Sequence, residues 1–533
     1  MHLERFQLLR VLWHKVVVAK RSKCLLVDSH WQREEIGPRL ALGCLSAAVR
    51  DLVEVRGVEF LVNRESLDAI AHSPAFFWVL EQAFLRDIGD RVRADPQIGI
   101  VAVTGWSGSF PRMLRIAQVC KSANPDVVVV FGGPHITLHE RYCLPRDSIL
   151  REHDCVDYLV VGEGELAFRR LVQQLSVRSR LDIGRRGILH NVPACPSCAE
   201  NGDSTAVCAH TAMTYWPPFL EGSPRRIVFL VETARGCPRR CSFCDESDMW
   251  KRYRRFDVGQ VLPEIEKGIE EFGSLSFRFA DSSLTANPDL DLLCRELVRR
   301  DVDASWSAFA HCSEVTERKA AMMAEAGCKC VLIGVESGVQ SVLDSMRKGT
   351  SVQQIGTAVQ MLRREGIHIR GSFIVGYPGE TAEQAMLTVD FAKSLNLDAY
   401  AWHLYQPPFR LLQEREESRR PDFAHYELDS PPDVTVQVLM REPSLLRDMH
   451  ALPRLAALDP ALMPDPHRWP TRSARWVEIL RKAIAETGDG GAHDLDLLLE
   501  CERARRHFQE QVAAQSLRFR RCPVMAGNAD EMV

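Results

Sequence analysis

Arg235-Gly236-Cys237-Pro238-Arg239-Arg240-Cys241-Ser242-Phe243-Cys244 gathers three thiols in one short loop, the first two offset by four residues and the last by three. Three thiolates are one short of a closed site. A structural zinc centre takes four protein ligands and a low-potential ferredoxin cluster takes four cysteines. The spacing therefore suits a four-iron cluster whose fourth iron stays open to a small molecule. A partial zinc site is the alternative that spacing alone leaves. Outward from the loop, Ile227 to Glu232 is an apolar strand leading into it. Further strands are expected at Phe277–Ala280, Ala304–Ala310, Cys330–Glu336, Ile367–Val375 and Asp398–Tyr405, with helical segments between them.

The chain of 533 residues is too long for one core and implies several domains. Its 46% hydrophobic and 26% charged content is that of an ordinary globular protein, and a net charge of -4 gives no general attraction for nucleic acid or an anionic membrane. A local patch at Arg252, Arg254 and Arg255 is read as a solvated face. Many of the 17 cysteines, such as Cys120, Cys294, Cys328 and Cys330, sit among apolar residues, which fits free thiols in a reducing cytoplasm better than disulfides. Met1 to Lys23 is interrupted by Arg10, His14, Lys15 and Lys20, so no secretory leader is expected, and no run reaches a membrane span.

Ahead of the loop, strand and helix signals alternate as in a parallel sheet with crossover helices. Strands are expected at Cys24–Asp28, Val58–Val62, Ile98–Val103, Val127–Phe131 and Tyr158–Val161. Helical spacing covers Pro38–Asp51 and Phe76–Val92, and another helix starts near Ser109 and Pro111. Five such units make a doubly wound, flavodoxin-like domain, whose ligands lie outside the carboxyl ends of the strands. Thr104, Ser107, Gly132, Gly133 and Gly162 all follow a strand, where small residues let a large ligand approach the backbone. Ordinary turn residues are the competing reading.

The spacing C-x3-C-x2-C, with aromatic Phe243 before the last cysteine, resembles the radical S-adenosylmethionine (SAM) superfamily. That resemblance implies that Cys237, Cys241 and Cys244 hold a [4Fe-4S] cluster, that SAM chelates its open iron, and that SAM is cleaved to a 5'-deoxyadenosyl radical. The six strand–helix units after Ile227 resemble the family's partial (β/α)6 barrel, with the site at the carboxyl ends of the strands. Asp281-Ser282 then falls where relatives bind the SAM amino group, although many have a second acid where Ser282 stands. Glu336-Ser337 falls where a polar side chain meets the ribose or methionine part, and Gly376 lies in the segment against adenine.

The segments Pro38-Arg39-Leu40-Ala41-Leu42-Gly43, Val130-Phe131-Gly132-Gly133-Pro134-His135 and Val161-Gly162-Glu163-Gly164-Glu165 resemble the cobalamin-binding domain found ahead of many radical SAM enzymes. Where such domains supply a cobalt ligand they carry D-x-H-x-x-G. Here Asp28-Ser29-His30-Trp31-Gln32-Arg33 ends in arginine, so His30 is not assigned to cobalt.

The expected organisation is a cobalamin-binding domain over 1–175, a linker over 176–225, the barrel over 226–408 and a helical region over 409–533. Within the linker, Cys195, Cys198, Cys208 and His210 suggest a small zinc or accessory cluster site. Amphipathic helices at Ser473–Glu486 and Asp494–Ala513 are expected to pack over the open barrel and shape the substrate pocket. The resemblance implies methyl transfer to an unactivated carbon or phosphorus of a small molecule, with a flavodoxin or ferredoxin as electron donor. Cobalamin-dependent rearrangement, cyclisation or oxidation is the second expectation, and a sensor without turnover the third.

Overall fold

The structure, a computed structural model, describes residues 23–33, 39–62, 75–106, 109–142, 147–177, 187–190, 228–250, 252–405, 408, 479, 482–483 and 485–487. Two parallel sheets dominate it. The first contains β1 (Lys23–Arg33), β2 (Glu54–Val62), β3 (Ile98–Thr104), β4 (Val128–Gly132), β5 (Tyr158–Val161) and β6 (Gly187–His190), in the spatial order β2-β1-β3-β4-β5-β6. Its strands are apolar on both faces because both faces are covered. Leu25 and Val27 pack with Ile88 and Met113 from α2 (Ala75–Ala94) and α3 (Phe110–Ala123). Cys24 and Leu26 pack on the other side with Leu42 and Phe168 from α1 (Leu40–Val49) and the helix after β5.

Two expectations change here. Gly187–His190 falls in the stretch expected to be linker, yet it pairs with β5 as a sixth strand. A four-residue strand between polar stretches carries too little periodicity to be read. The strand expected to stop at Asp28 runs on to Arg33, with a register shift between Asp28 and Trp31, after which it pairs only with β2. Helices α4 (Pro134–Tyr142), α5 (Ser148–Glu152) and α6 (Gly164–Val177) complete this half.

The second sheet runs β14-β13-β12-β11-β10-β7, each strand beside its neighbour in the chain: β7 (Val228–Val231), β10 (Ser276–Phe279), β11 (Ser305–Ala310), β12 (Cys328–Glu336), β13 (His368–Val375) and β14 (Ala399–Leu404). A two-residue ladder, β8 (Ala234–Arg235) with β9 (Arg254–Arg255), flanks the cysteine loop and the short helix α7 (Glu246–Met249). Alternate strand residues, including Phe229, Phe277, Trp306, Ile333, Phe373 and Trp402, form one core with helices α8 (Val258–Phe272), α9 (Leu290–Arg299), α10 (Glu317–Glu325), α12 (Val352–Arg364) and α13 (Ala382–Leu395). Helix α11 (Gln340–Ser345) follows β12. The other set, including Leu230, Arg278, Leu332 and Ser372, lines the opposite face of this partial barrel. Helices α12 and α13 start at capping boxes, Ser351 with Gln354 and Thr381 with Gln384.

Of the region after Phe409, the described residues touch the outside of the barrel. Ile479 and Ala483 are buried in the barrel core, the Trp402 indole N–H donates to Thr487 Oγ1 at 3.3 Å, and Lys393 pairs with Glu486 at 2.9 Å. These contacts lie on the helix-covered face, so this part of the expected Ser473–Glu486 helix braces β14 from behind instead of covering the barrel mouth. Asp494–Ala513 and the group Cys195, Cys198, Cys208 and His210 lie outside the described residues. No helix among the described residues is long and apolar enough to cross a membrane.

Candidate functional site

The apolar strand β7 delivers the chain to the cysteine loop at the carboxyl end of the second sheet. Asp281, just past the end of β10, accepts from the Thr233 amide at 2.7 Å and from the Thr233 hydroxyl, while Asn287 Nδ2 donates to that hydroxyl at 2.9 Å. Burial pushes the Asp281 carboxyl up to about 7, and the Thr233 hydrogen bonds hold it down in part. Both Asp281 oxygens are thus engaged by the strand that leads into the loop. Asp281 braces the turn that leads into the cysteine loop. Ser282 turns to Glu246, whose carboxyl it hydrogen-bonds.

The loop is docked from its far side as well. Ser242 N–H donates to the Met346 carbonyl at 2.9 Å, and Ser242 Oγ lies 2.7 Å from Tyr377 Oη. Tyr377 in turn donates to the Ser345 carbonyl at 3.1 Å. Phe243 packs with Val342, Met346 and Tyr377. All three cysteines are free thiols, Cys241 buried and the others partly so. Burial raises all three, Cys244 to about 12, and the Cys237 and Cys241 charges add to the effect on Cys244. Thiols so placed become thiolates when a cation replaces the proton. Among the described residues no three His, Cys, Asp or Glu side chains are set to hold a single metal ion. A cluster asks for less convergence, since each sulfur binds a different iron.

Around the loop stand buried acceptors without a protein donor: Glu246 Oε2, Tyr253 Oη and Glu380 Oε1. Glu380 also accepts, through Oε2, from the Gly376 amide at 2.7 Å and the Tyr377 amide at 3.2 Å. An orphaned buried acceptor is costly, and a ligand rich in N–H and O–H donors answers all three. The amino group and ribose of SAM fit that description. Gly376 itself, with φ 85°, forms the turn that carries these amides.

Glu336 has a charged partner within the protein. It sits at the end of β12 with φ 64° and pairs with Lys348 Nζ at 2.8 Å, both side chains buried. Lys348 Nζ lies 5.7 Å from the Phe243 ring centroid. Glu336 is the anion that keeps a buried ammonium beside the cysteine loop. Ser337 is buried too, its hydroxyl 3.0 Å from Thr388 Oγ1 and accepting from the Val339 amide at 3.1 Å, so it ties β12 to α13.

In the first sheet Thr104, Gly132, Gly133 and Gly162 come together at the carboxyl ends of β3, β4 and β5, on one side of the reversal in strand order; Ser107 lies outside the described residues. Gly133 has φ 94°, and a Cβ there would collide with Thr104 Oγ1 and meet the Gly105 amide nitrogen at 3.0 Å. Its demand for glycine is therefore internal. Gly132 is different: the nearest atom to a Cβ is the Val160 carbonyl oxygen at 3.6 Å. Thr137 Oγ1 donates to the Gly133 carbonyl at 2.9 Å and accepts from the Gly162 amide at 3.0 Å, locking two of the strand ends together. Ser109 Oγ bonds Ser29 Oγ at 2.9 Å instead of capping α3. Trp106 is 46% exposed at the same edge, and Trp31 buries its indole N–H without a protein acceptor. A flat apolar ring system with polar side groups fits this edge. Asp28 is buried and His30 half-buried; Asp28 pairs with Arg39 at 3.2 Å, and desolvation lowers the His30 imidazole to about 3.

The two edges meet. Arg235, two residues before Cys237, is buried against Glu165 at 2.6 Å, Glu163 at 3.2 Å and Glu232 at 2.9 Å. Arg254 also pairs with Glu163, and Arg141 donates to the Met249 carbonyl at 3.2 Å. Burial works against the Arg235 charge, and Glu165 and Glu232 outweigh it.

Comparison with known proteins gives the same two halves. A family model described as "Radical SAM superfamily" matches residues 231–392, and one described as "B12 binding domain" matches residues 34–172. A protein of Pyrococcus horikoshii described as an uncharacterized methyltransferase, PH0819, is 31% identical over 382 residues, 70% of this chain and 76% of that protein. An anaerobic magnesium-protoporphyrin IX monomethyl ester cyclase of Rubrivivax gelatinosus is 30% identical over 62% of this chain and 61% of its own. Among solved structures, the radical SAM methyltransferase TsrM of Kitasatospora setae, with tryptophan and a SAM analogue bound, superposes with a TM-score of 0.57 at 22% identity, covering 74% of this chain and 76% of that one. That likeness is one of fold.

Proposed function

Because this chain belongs to the radical SAM superfamily, among members that also carry a B12-binding domain, we propose that it methylates an unactivated carbon or phosphorus of a small molecule. The protein is a cobalamin-dependent radical SAM enzyme, and its cofactors are a four-iron cluster, SAM and cobalamin. The observation that carries the proposal is the meeting of two ligand edges. A three-thiol loop ringed by orphaned acceptors stands against the small-residue edge of a doubly wound sheet.

In this reading Cys237, Cys241 and Cys244 hold the cluster, and Phe243 closes the loop on its apolar side. Glu246, Tyr253 and Glu380 accept from the donors of SAM, with Gly376 setting the turn beside them. Asp281 and Ser282 hold the strand and the Glu246 carboxyl in place, and the Glu336–Lys348 pair with Ser337 fixes the floor. Thr104, Gly132, Gly133 and Gly162 form the corrin edge, and Ser107 lies outside the described residues. When bound, the cluster with SAM supplies one-electron cleavage of a sulfonium bond, and the corrin supplies methyl transfer. The protein's own share is orientation and exclusion of water.

Residues 23 to 190 are taken as the corrin unit, 228 to 408 as the barrel and the rest of the carboxyl-terminal region as the source of substrate contacts. A reducing cytoplasm and a flavodoxin- or ferredoxin-type electron donor complete the proposal. Ring closure is the second reading, favoured by the cyclase relative. Methylation is preferred because the methyltransferase relative matches over more of its own length, 76% against 61%. Anaerobic turnover with candidate substrates decides between them. S-adenosylhomocysteine formed together with 5'-deoxyadenosine supports methylation; 5'-deoxyadenosine alone refutes it and supports the second reading.

A further inference from the structure

The Gly162-Glu163-Gly164-Glu165 loop has a second task. It ends β5 at the corrin edge, and its two carboxylates both reach Arg235 of the other half, at 3.2 Å from Glu163 and 2.6 Å from Glu165. Arg235 is 4% exposed and Glu165 7%, so water screens this pair little. Glu232 holds the Arg235 Nε at 2.9 Å, leaving the guanidinium fork turned toward the first sheet. The Trp250 and Phe256 rings lie 5.7 and 5.8 Å from its central carbon, which fixes its plane. Glu163 also takes Arg254, the ladder partner of Arg235, so both strands of the small ladder beside the cysteine loop are tied to one loop of the first sheet.

We propose that Glu163, Glu165 and Arg235 are positioning residues that set the separation and tilt of the two cofactor sites. This rests on the cobalamin-dependent radical SAM reading above. The chain from Gly162 through Glu163 and Arg235 to Cys237 connects the corrin edge to the cluster loop, and it contains a charge-assisted link that fixes direction as well as distance. A substrate served by both cofactors needs that distance held, because displacements of about 1 Å in a reacting geometry cost orders of magnitude in rate. Ordinary domain packing needs contact area; it does not need three carboxylates converging on one buried guanidinium.

The test uses the full chain carrying Glu163→Gln and Glu165→Gln, which keeps the side-chain sizes and removes both interdomain charges. Two measurements are made. In the cofactor-free protein, hydrogen exchange across 162–166 and 233–237 is expected to accelerate by about tenfold or more while the sheet cores stay protected. In protein reconstituted with iron, sulfide and hydroxocobalamin, then reduced, the relaxation enhancement of the Co(II) electron-spin signal by the cluster is expected to fall, with iron and cobalt contents unchanged. Unaltered exchange and an unaltered spin interaction overturn the proposal. If the wild type retains no corrin, the function proposed above fails instead, and the exchange measurement alone decides whether the link positions the two halves. Should the double variant not fold, Glu163→Gln alone, at a less buried carboxylate, is read by the same criteria.

Discussion

Replacing Glu336 with Ala removes the anion from a buried pair and leaves the Lys348 ammonium, 7% exposed, without its 2.8 Å partner. Breaking such a pair from one side costs about 3–5 kcal/mol, mostly the penalty of an uncompensated buried charge. The backbone gives no relief, since φ 64° is as unfavourable for Ala as for Glu. At roughly 2–4 °C per kcal/mol for a unit of this size, the barrel's melting midpoint should drop by about 6–20 °C. The buried indole of Trp306, hydrogen-bonded to the Ala326 carbonyl at 2.6 Å, lies in the same core and reports that transition by fluorescence. The control is the double variant Glu336→Gln with Lys348→Met. It removes both charges and should recover to within about 1–2 kcal/mol of the wild type, because well-packed neutral replacements of buried pairs are close to neutral. A single variant that melts within 2 °C of the wild type would refute the assignment of Glu336 to structure. Weakened SAM binding with unchanged stability would return it to the ligand.

Three further outcomes follow from the same geometry. Asp281, raised to about 7 in the folded state from an ordinary 3.8, gives stability that is fully present below about 4 and is lost as pH rises toward 7. Asp281→Asn should flatten the dependence of the barrel's melting point over that range, and an unchanged slope would show that another group titrates. His30 and His135, each lowered to about 3 by burial, work in the opposite sense. Their contribution is complete above about 6.5 and is lost on acidification toward 3, so amide protection factors in the first sheet should fall below pH 6; His311 in the barrel, lowered to about 4 by burial, adds a smaller loss of the same sign there. Gly133→Ala should destabilise the first sheet through its positive φ and the collision with Thr104, whereas Gly132→Ala should fold normally and, on the corrin-edge assignment, bind hydroxocobalamin less tightly. Equal melting points for the two glycine variants would contradict this contrast.

The strands were legible because their residue types repeat with the right period. Tyr158–Val161 was read with its observed limits, and the six barrel strands within a few residues of theirs. The cysteine loop was legible because three thiols at that spacing have few competing meanings. Side-chain partners were not. Glu163 and Glu165 stood in plain view in a segment read as part of the cobalamin-binding half, since nothing local pairs them with Arg235, 70 or more residues away. Lys348 carried no signal at all: an isolated lysine after a helix is ordinarily solvated, and only the sheet topology brings it under Glu336. Asp281 was placed at a strand end, but its partner Thr233 lies in the bend after a neighbouring strand and cannot be chosen from sequence. Gly187–His190 was missed because four residues between polar stretches show no period.

The most direct test of the account is metal analysis of two proteins after anaerobic reconstitution with iron, sulfide and hydroxocobalamin, followed by desalting. The wild type should retain about four iron atoms and one cobalt per chain. The variant with Cys237, Cys241 and Cys244 all changed to Ala should lose the iron and keep the cobalt, because the two sites belong to separate sheets. Iron retained by the triple variant, or no cobalt retained by the wild type, contradicts the account.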